Sequence, residues 1–101
     1  MTHFVLAPLA KADIAEIWTY YARDVGDPKL ADRMRDEIFE GIRSAARAPH
    51  IGHLRPDLAK EPLRFCRVRR YLIIYRSEAE PIQIVRVLHA ARDVQAVLSE
   101  G

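Results

Sequence analysis

The stretch Leu63-Arg64-Phe65-Cys66-Arg67-Val68-Arg69-Arg70-Tyr71-Leu72-Ile73-Ile74-Tyr75-Arg76 decides the fold, together with the run Ile82-Gln83-Ile84-Val85-Arg86-Val87-Leu88-His89 downstream of it. β-branched and aromatic residues dominate both runs, as they do on pleated surfaces. Ser77-Glu78-Ala79-Glu80-Pro81 separates them with turn chemistry, and Pro81, which has no N–H to give a ladder, suits the residue just before a strand. The pattern predicts an antiparallel hairpin or meander. Seven arginines fall between Leu63 and Asp93 against three acids, a local balance of +4 in a chain whose net charge is +2. The sheet is therefore the positive side of a polarised molecule, which suits an anionic or acidic partner.

Upstream, His3-Phe4-Val5-Leu6 within Thr2–Ala7 reads as a first strand, and Pro8 fits the first position of a helix, where a missing N–H costs nothing. Ala10, Ile14, Ile17, Trp18, Tyr21 and Val25 recur at helical spacing, with Lys11, Asp13, Glu16, Arg23 and Asp24 as polar positions around them. Gly26 is a helix stop, Asp27 an N-cap and Pro28 a first helical residue. A second stripe, Ala31, Met34, Ile38, Ile42 and Ala45, ends at Ala48-Pro49-His50-Ile51-Gly52. The short link predicts an antiparallel helical hairpin. His53–Pro62 reads as a polar loop pinned by Leu54 and Leu58, and Arg92–Leu98 as a final short helix. The expected class is α+β: one domain over residues 1–101, with a small antiparallel sheet packed on an N-terminal helical hairpin. The order is β-α-α-β-β-β with a short C-terminal helix.

Composition narrows the function. No apolar run approaches the ~20 residues of a membrane-spanning helix. Residues 1–8 lack a basic region followed by a long apolar one, so no signal peptide is expected. Cys66 is the only cysteine; it fits a reducing, cytoplasmic compartment and core packing rather than nucleophilic chemistry. No metal and no cofactor are expected: the histidines are scattered and no glycine-rich phosphate loop exists.

The strands carry apolar or aromatic residues on both faces. By strict alternation, Ile84 and Leu88 share a face with Arg86, and Val85 and Val87 share the other with His89. Two helices cover one face only. Either a partner occludes the second face or the C-terminal helix and the His53–Pro62 loop cover it. The candidates for contact with a target or partner are Arg67, Arg69, Arg70, Arg76, Arg86 and Arg92, with Trp18 and Tyr21 on an apolar rim. One or two of Arg76, Arg86 and Arg92 are expected to dominate, with Arg67–Arg70 acting mainly through long-range attraction. A nuclease using the RNA 2′-OH would need a base, an acid and a cation. His89, Arg92, Tyr75 and Arg67 are the side chains of the right types. Strong direct binding to nucleic acid is not expected at a net charge of +2.

Four blocks then carry a resemblance: Leu9-Ala10-Lys11-Ala12-Asp13-Ile14-Ala15-Glu16-Ile17-Trp18-Thr19-Tyr20-Tyr21; Ala48-Pro49-His50-Ile51-Gly52; Leu72-Ile73-Ile74-Tyr75-Arg76; and Ile84-Val85-Arg86-Val87-Leu88-His89-Ala90-Ala91-Arg92-Asp93. In this order, over about His3 to Leu98, the chain resembles ParE-like toxins of the RelE/ParE superfamily, the toxin halves of bacterial type II toxin–antitoxin modules. The resemblance implies the same α+β fold and a cognate antitoxin whose C-terminal segment wraps the toxin, giving a toxin–antitoxin hetero-oligomer. It implies DNA gyrase as the target, poisoned with DNA breaks left in place. RelE-like relatives instead cut messenger RNA on the ribosome. They are marked by an arginine soon after the tyrosine that opens the Tyr-x-x-x-Tyr strand and by a tyrosine near the C-terminus. Here Leu72 stands at the first place and no tyrosine follows Tyr75, which favours a stoichiometric gyrase inhibitor over a ribosome-dependent endoribonuclease. A module that only binds its antitoxin is the third reading.

Overall fold

The computed structural model describes residues 3–100; Thr2, included in the first strand by its pattern, and Gly101 lie outside them. In chain order the elements are β1 (Phe4–Leu6), α1 (Pro8–Thr19), a π-helical turn (Tyr20–Asp24), α2 (Pro28–Arg47), β2 (His53–Leu54), β3 (Arg64–Val68), β4 (Tyr71–Arg76), β5 (Ile82–His89) and α3 (Val94–Glu100). The sheet order is β1-β5-β4-β3-β2. β2 through β5 pair antiparallel, and β1 joins the far edge parallel to β5. The α+β architecture is the expected one, but the sheet is mixed rather than wholly antiparallel. The meander starts at the opposite edge with β2 and ends beside β1 with β5, so the first and last strands of the sheet are neighbours and run the same way. β2, two residues inside the expected loop, is too short for any periodicity to reveal.

Helix ends follow local chemistry. Pro8 and Pro28 occupy first-turn positions, and the Asp27 carboxylate accepts the Leu30 N–H at 3.1 Å, a cap of about 1 kcal/mol. Gly26 reverses the chain at φ +78°, a conformation glycine adopts without steric cost. Between the helices the Tyr20 carbonyl accepts the Val25 N–H at 3.0 Å, a five-residue closure in place of four. The wider turn rotates the residues after it about the helix axis. Val25 therefore leaves the apolar stripe and stands about half exposed, against the sequence pattern.

The main core lies between the hairpin and one face of the sheet. Ile14, Ile17, Met34, Ile38 and Ile42 meet Tyr71, Ile73, Tyr75, Ile82, Ile84 and Val87 there. α2 approaches the sheet at Gly41, where a Cβ would fall 2.4 Å from Val68 Cγ2, so only glycine permits this packing distance. A second core fills the opposite face. Phe65, Ile74 and Leu88 lie under Val94 of α3 and Leu63, with Leu58, Ala59, Val85, Val97 and Leu98 packed around them. The protein's own C-terminal helix and loop thus cover this face. Leu58 pins the loop; Leu54 does not, being about half exposed.

Strict alternation fails in β5 for one reason. Tyr75 pairs with Ile84 and Ile74 with Arg86, so Val85 is left without a partner. This bulge shifts the face assignment by one residue. Ile84 and Val87 end on the helix side, Val85 and Leu88 on the other.

Candidate functional site: two clefts divided by an ion pair

β1 pairs with only the first part of β5. Beyond it the edge of β5 would present an unpaired amide, and α1 lies there instead. Asp13 of α1 accepts the Val87 N–H at 3.0 Å and holds Arg86 in a two-point contact, 2.7 Å to Nε and 2.8 Å to Nη2. Asp13 is 6% exposed, so a residue that periodicity places only among the polar positions around the stripe is the buried tie between helix and sheet. Its carboxylate raises the Arg86 guanidinium further above its ordinary value against the opposing effect of burial.

On either side of this pair lies a cleft of about 450 Å³. The first, the tyrosine cleft, opens where β4 begins and β5 ends. Ile17, Tyr20, Tyr21 and Val25 wall it, Tyr71, Val87 and Leu88 floor it, and Asp13, Glu16, Arg70, His89 and Arg92 supply its charged and polar lining. The second, the C-terminal cleft, runs between Leu9, the Pro56–Leu63 segment and α3, with Val85, Val97 and Leu98 inside and Lys60, Arg76 and Arg86 among its cations. Asp13 belongs to the first cleft and its partner Arg86 to the second.

In the tyrosine cleft the Tyr71 hydroxyl donates to the Tyr21 hydroxyl at 3.2 Å. The Tyr71 ring meets His89 edge-on at 5.5 Å, and Tyr20 meets Tyr21 edge-on at 5.0 Å. His89 Nδ1 accepts the Ala91 N–H at 3.0 Å, so a neutral ring carries its proton on Nε2. Arg70 and Arg92 are exposed, and neither guanidinium has a hydrogen-bond or ion-pair partner among the described residues.

The other arginines of the sheet are engaged within the protein. Arg67 Nε donates to the Arg69 carbonyl at 2.7 Å, and Arg69 pairs with Glu37 at 2.9 Å. Both contacts steady the two-residue turn between β3 and β4, where Arg69 takes φ +53°, a left-handed conformation that is costly for a side-chain-bearing residue. Arg69 and Arg70 therefore sit in a turn, where strand alternation does not assign their sides. Arg76 pairs with Glu61 and donates to Gln83, and Arg64 donates to the Gly52 carbonyl and to Ser77. Trp18 is half-buried and donates to Asp32 across the hairpin at 2.9 Å.

The four nuclease candidates are not assembled. Tyr75 is fully buried; its hydroxyl donates to the Pro49 carbonyl at 2.9 Å and accepts the Gly52 N–H at 3.0 Å. Four residues along β4 place it about 13 Å from Tyr71 at ~3.3 Å per residue. Arg67 lines neither cleft. Only His89 and Arg92 share a site. Cys66 packs against the main core, and burial pushes its thiol up, away from the thiolate that reactivity needs. Among the described residues no group of His, Cys, Asp or Glu could hold a metal ion, and no helix is long and apolar enough to cross a membrane.

Burial raises both phenols. Tyr71 is pushed well above the usual tyrosine range, with the Tyr21 hydroxyl as a further cause; Tyr75 is also raised, against the lowering contact with the Gly52 amide. The sign comes from proton counting. Below pH ~10 both states keep these protons and stability is unaffected; above it the unfolded chain loses them first, so stability falls towards the folded values. Urea midpoints measured from pH 8 to 11 should drop above pH ~10, and Tyr71→Phe should flatten the drop.

Comparison with known proteins accounts for this arrangement. Residues 4–94 match the family described as the ParE toxin of the type II toxin–antitoxin system parDE. Toxin ParE1 of Caulobacter vibrioides is 32% identical over 98 residues, spanning 97% of this chain and 99% of that protein. A chain of the chromosomal ParDE system from P. aeruginosa superposes with a TM-score of 0.71 at 23% identity, covering 88% of this chain and 96% of that one, which attests to the fold. The family match runs from β1 to the start of α3 and so takes in the hairpin, the Asp13–Arg86 tie and the strands that frame both clefts: the chain belongs to the ParE toxin family of type II toxin–antitoxin systems.

Proposed function

We propose that the protein is a stoichiometric inhibitor of DNA gyrase that a cognate antitoxin neutralises. The observation that carries this reading is the dispersal of the acid–base candidates. A general acid and base must reach one reacting phosphate within hydrogen-bond distance, whereas Tyr75 is spent inside the fold and Arg67 on a turn carbonyl. Family membership and the ParDE system of the P. aeruginosa relative support an antitoxin partner. The C-terminal cleft suits an antitoxin segment. Its Val85, Val97 and Leu98 are half-buried, Leu9 stands 52% exposed beside them, and Lys60 lies on its rim.

The test is a plasmid supercoiling assay with purified gyrase. Added protein should abolish supercoiling in proportion to its amount, leave linear DNA after detergent and protease, and be reversed by the antitoxin. Messenger RNA on translating ribosomes should stay intact. Ribosome-dependent cleavage with gyrase unaffected would establish the endoribonuclease instead.

A further inference from the structure

We propose that the tyrosine cleft is the surface that engages the target, and that it receives one carboxylate side chain flanked by apolar residues from the target protein. The inference rests on the gyrase reading and names its contact. The lining is rich in donors. Arg70 and Arg92 have no partner among the described residues, His89 offers Nε2–H because Nδ1 is occupied, and Tyr21, whose oxygen accepts from Tyr71, keeps its own proton to give. The carboxylates are few: Asp13 is consumed by Arg86 and the Val87 amide, which leaves Glu16. A ligand that satisfies such a set must bring acceptor oxygens, and an arginine fork suits a planar, two-oxygen anion.

The same residues argue against a nucleic acid strand. Two arginines against Glu16 leave the cleft near +1, which one carboxylate balances, whereas a duplex presents one charge per ~1.7 Å of its axis. Glu16 on the wall would face further phosphates as a like charge. The half-exposed Tyr20 and Val25, at the two ends of the π-helical turn, form an apolar ledge beside the donors. The fitting segment therefore places an acid next to an apolar residue. The antitoxin has the more apolar C-terminal cleft on the other side of the Asp13–Arg86 pair, so the two partners need not share one surface.

Arg70 and Arg92 can be tested together, because both are exposed and neither holds the fold. The variant Arg70→Ala/Arg92→Ala should need about 30-fold more protein to inhibit gyrase, the loss set by truncating the cationic side of a desolvated charge pair. Its affinity for the antitoxin should stay within about 3-fold. In a second measurement, the arginine Nε–H NMR signals should shift with the peptide acetyl-Leu-Glu-Leu-amide, and far less with acetyl-Leu-Gln-Leu-amide or a short DNA duplex. Undiminished inhibition by the double variant, or equal response to both peptides, would overturn the assignment while leaving the gyrase reading intact. Equal loss of antitoxin binding would give the cleft to the antitoxin, and a stronger response to the duplex would give it to DNA; either result overturns it. Wild-type protein that leaves gyrase untouched would remove the functional reading and this inference with it.

Discussion

Asp13→Ala is expected to cost about 3–5 kcal/mol of folding stability, the usual consequence of removing one member of a buried pair. Three losses coincide. Arg86, whose side chain is only 15% exposed, keeps its charge with no counter-charge. The Val87 N–H loses its acceptor, and α1 loses its polar tie to β5. A domain of this size has about 5–15 kcal/mol in all, so the urea midpoint should fall by on the order of 2 M at an m-value of ~1–3 kcal/mol/M. Arg86→Ala should be comparably harmful. The double replacement Asp13→Leu/Arg86→Met should recover most of the loss, because apolar residues of similar volume remove the uncompensated charge; the Val87 amide would still lack a partner. A midpoint for Asp13→Ala within a few tenths of a molar of wild type would show that the pair is solvated in solution and does not tie the helix to the sheet.

Gly52→Ala is expected to be strongly destabilising. A Cβ at this position would lie 2.6 Å from the Tyr75 hydroxyl and 3.0 Å from its ring. Tyr75 is fully buried and cannot withdraw. Overpacking of this kind costs about 1–3 kcal/mol. Displacing the hydroxyl also breaks its bonds to Gly52 and Pro49, at about 1–3 kcal/mol for each buried group left unsatisfied. Tyr75→Phe alone should lose the bonds without the clash. Combining the two should therefore cost less than their sum, because the phenylalanine yields part of the space the alanine needs. Strict additivity in thermal or urea unfolding would contradict this account. The result also bears on function, since a Tyr75 variant that weakens toxicity would do so through the fold.

The fold was legible in the sequence to the extent that one pattern governed each element. The two helical stripes, the Asp27 cap, the Gly26 stop and the three main strands come from spacing and punctuation. What escaped was set by tertiary contact. Asp13 looks like any polar residue on a helix, and only the shortness of β1 beside the longer β5 makes it a buried partner. The Val85 bulge adds one residue to an otherwise regular alternation, which reverses the expected sides of Val87 and Leu88. The π-helical turn does the same to Val25. The arginines were legible as a cluster but not as individuals: the sequence cannot tell that Arg69 answers Glu37 and Arg86 answers Asp13 while Arg70 and Arg92 stay open.

The carboxylate of Asp13 also guards the molecule against its own kind. Past Leu6 the rim of β5 would otherwise be a template for another chain, with apolar Val85, Val87 and Leu88 behind it. Proteins commonly defend such rims with lysine, proline or an added strand. Here a single side chain from the neighbouring helix occupies the one amide that an incoming strand would need first. Loss of that side chain would uncover a sticky seam as well as loosen the fold, so the fate of Asp13 variants in a cell would be decided by aggregation as much as by unfolding.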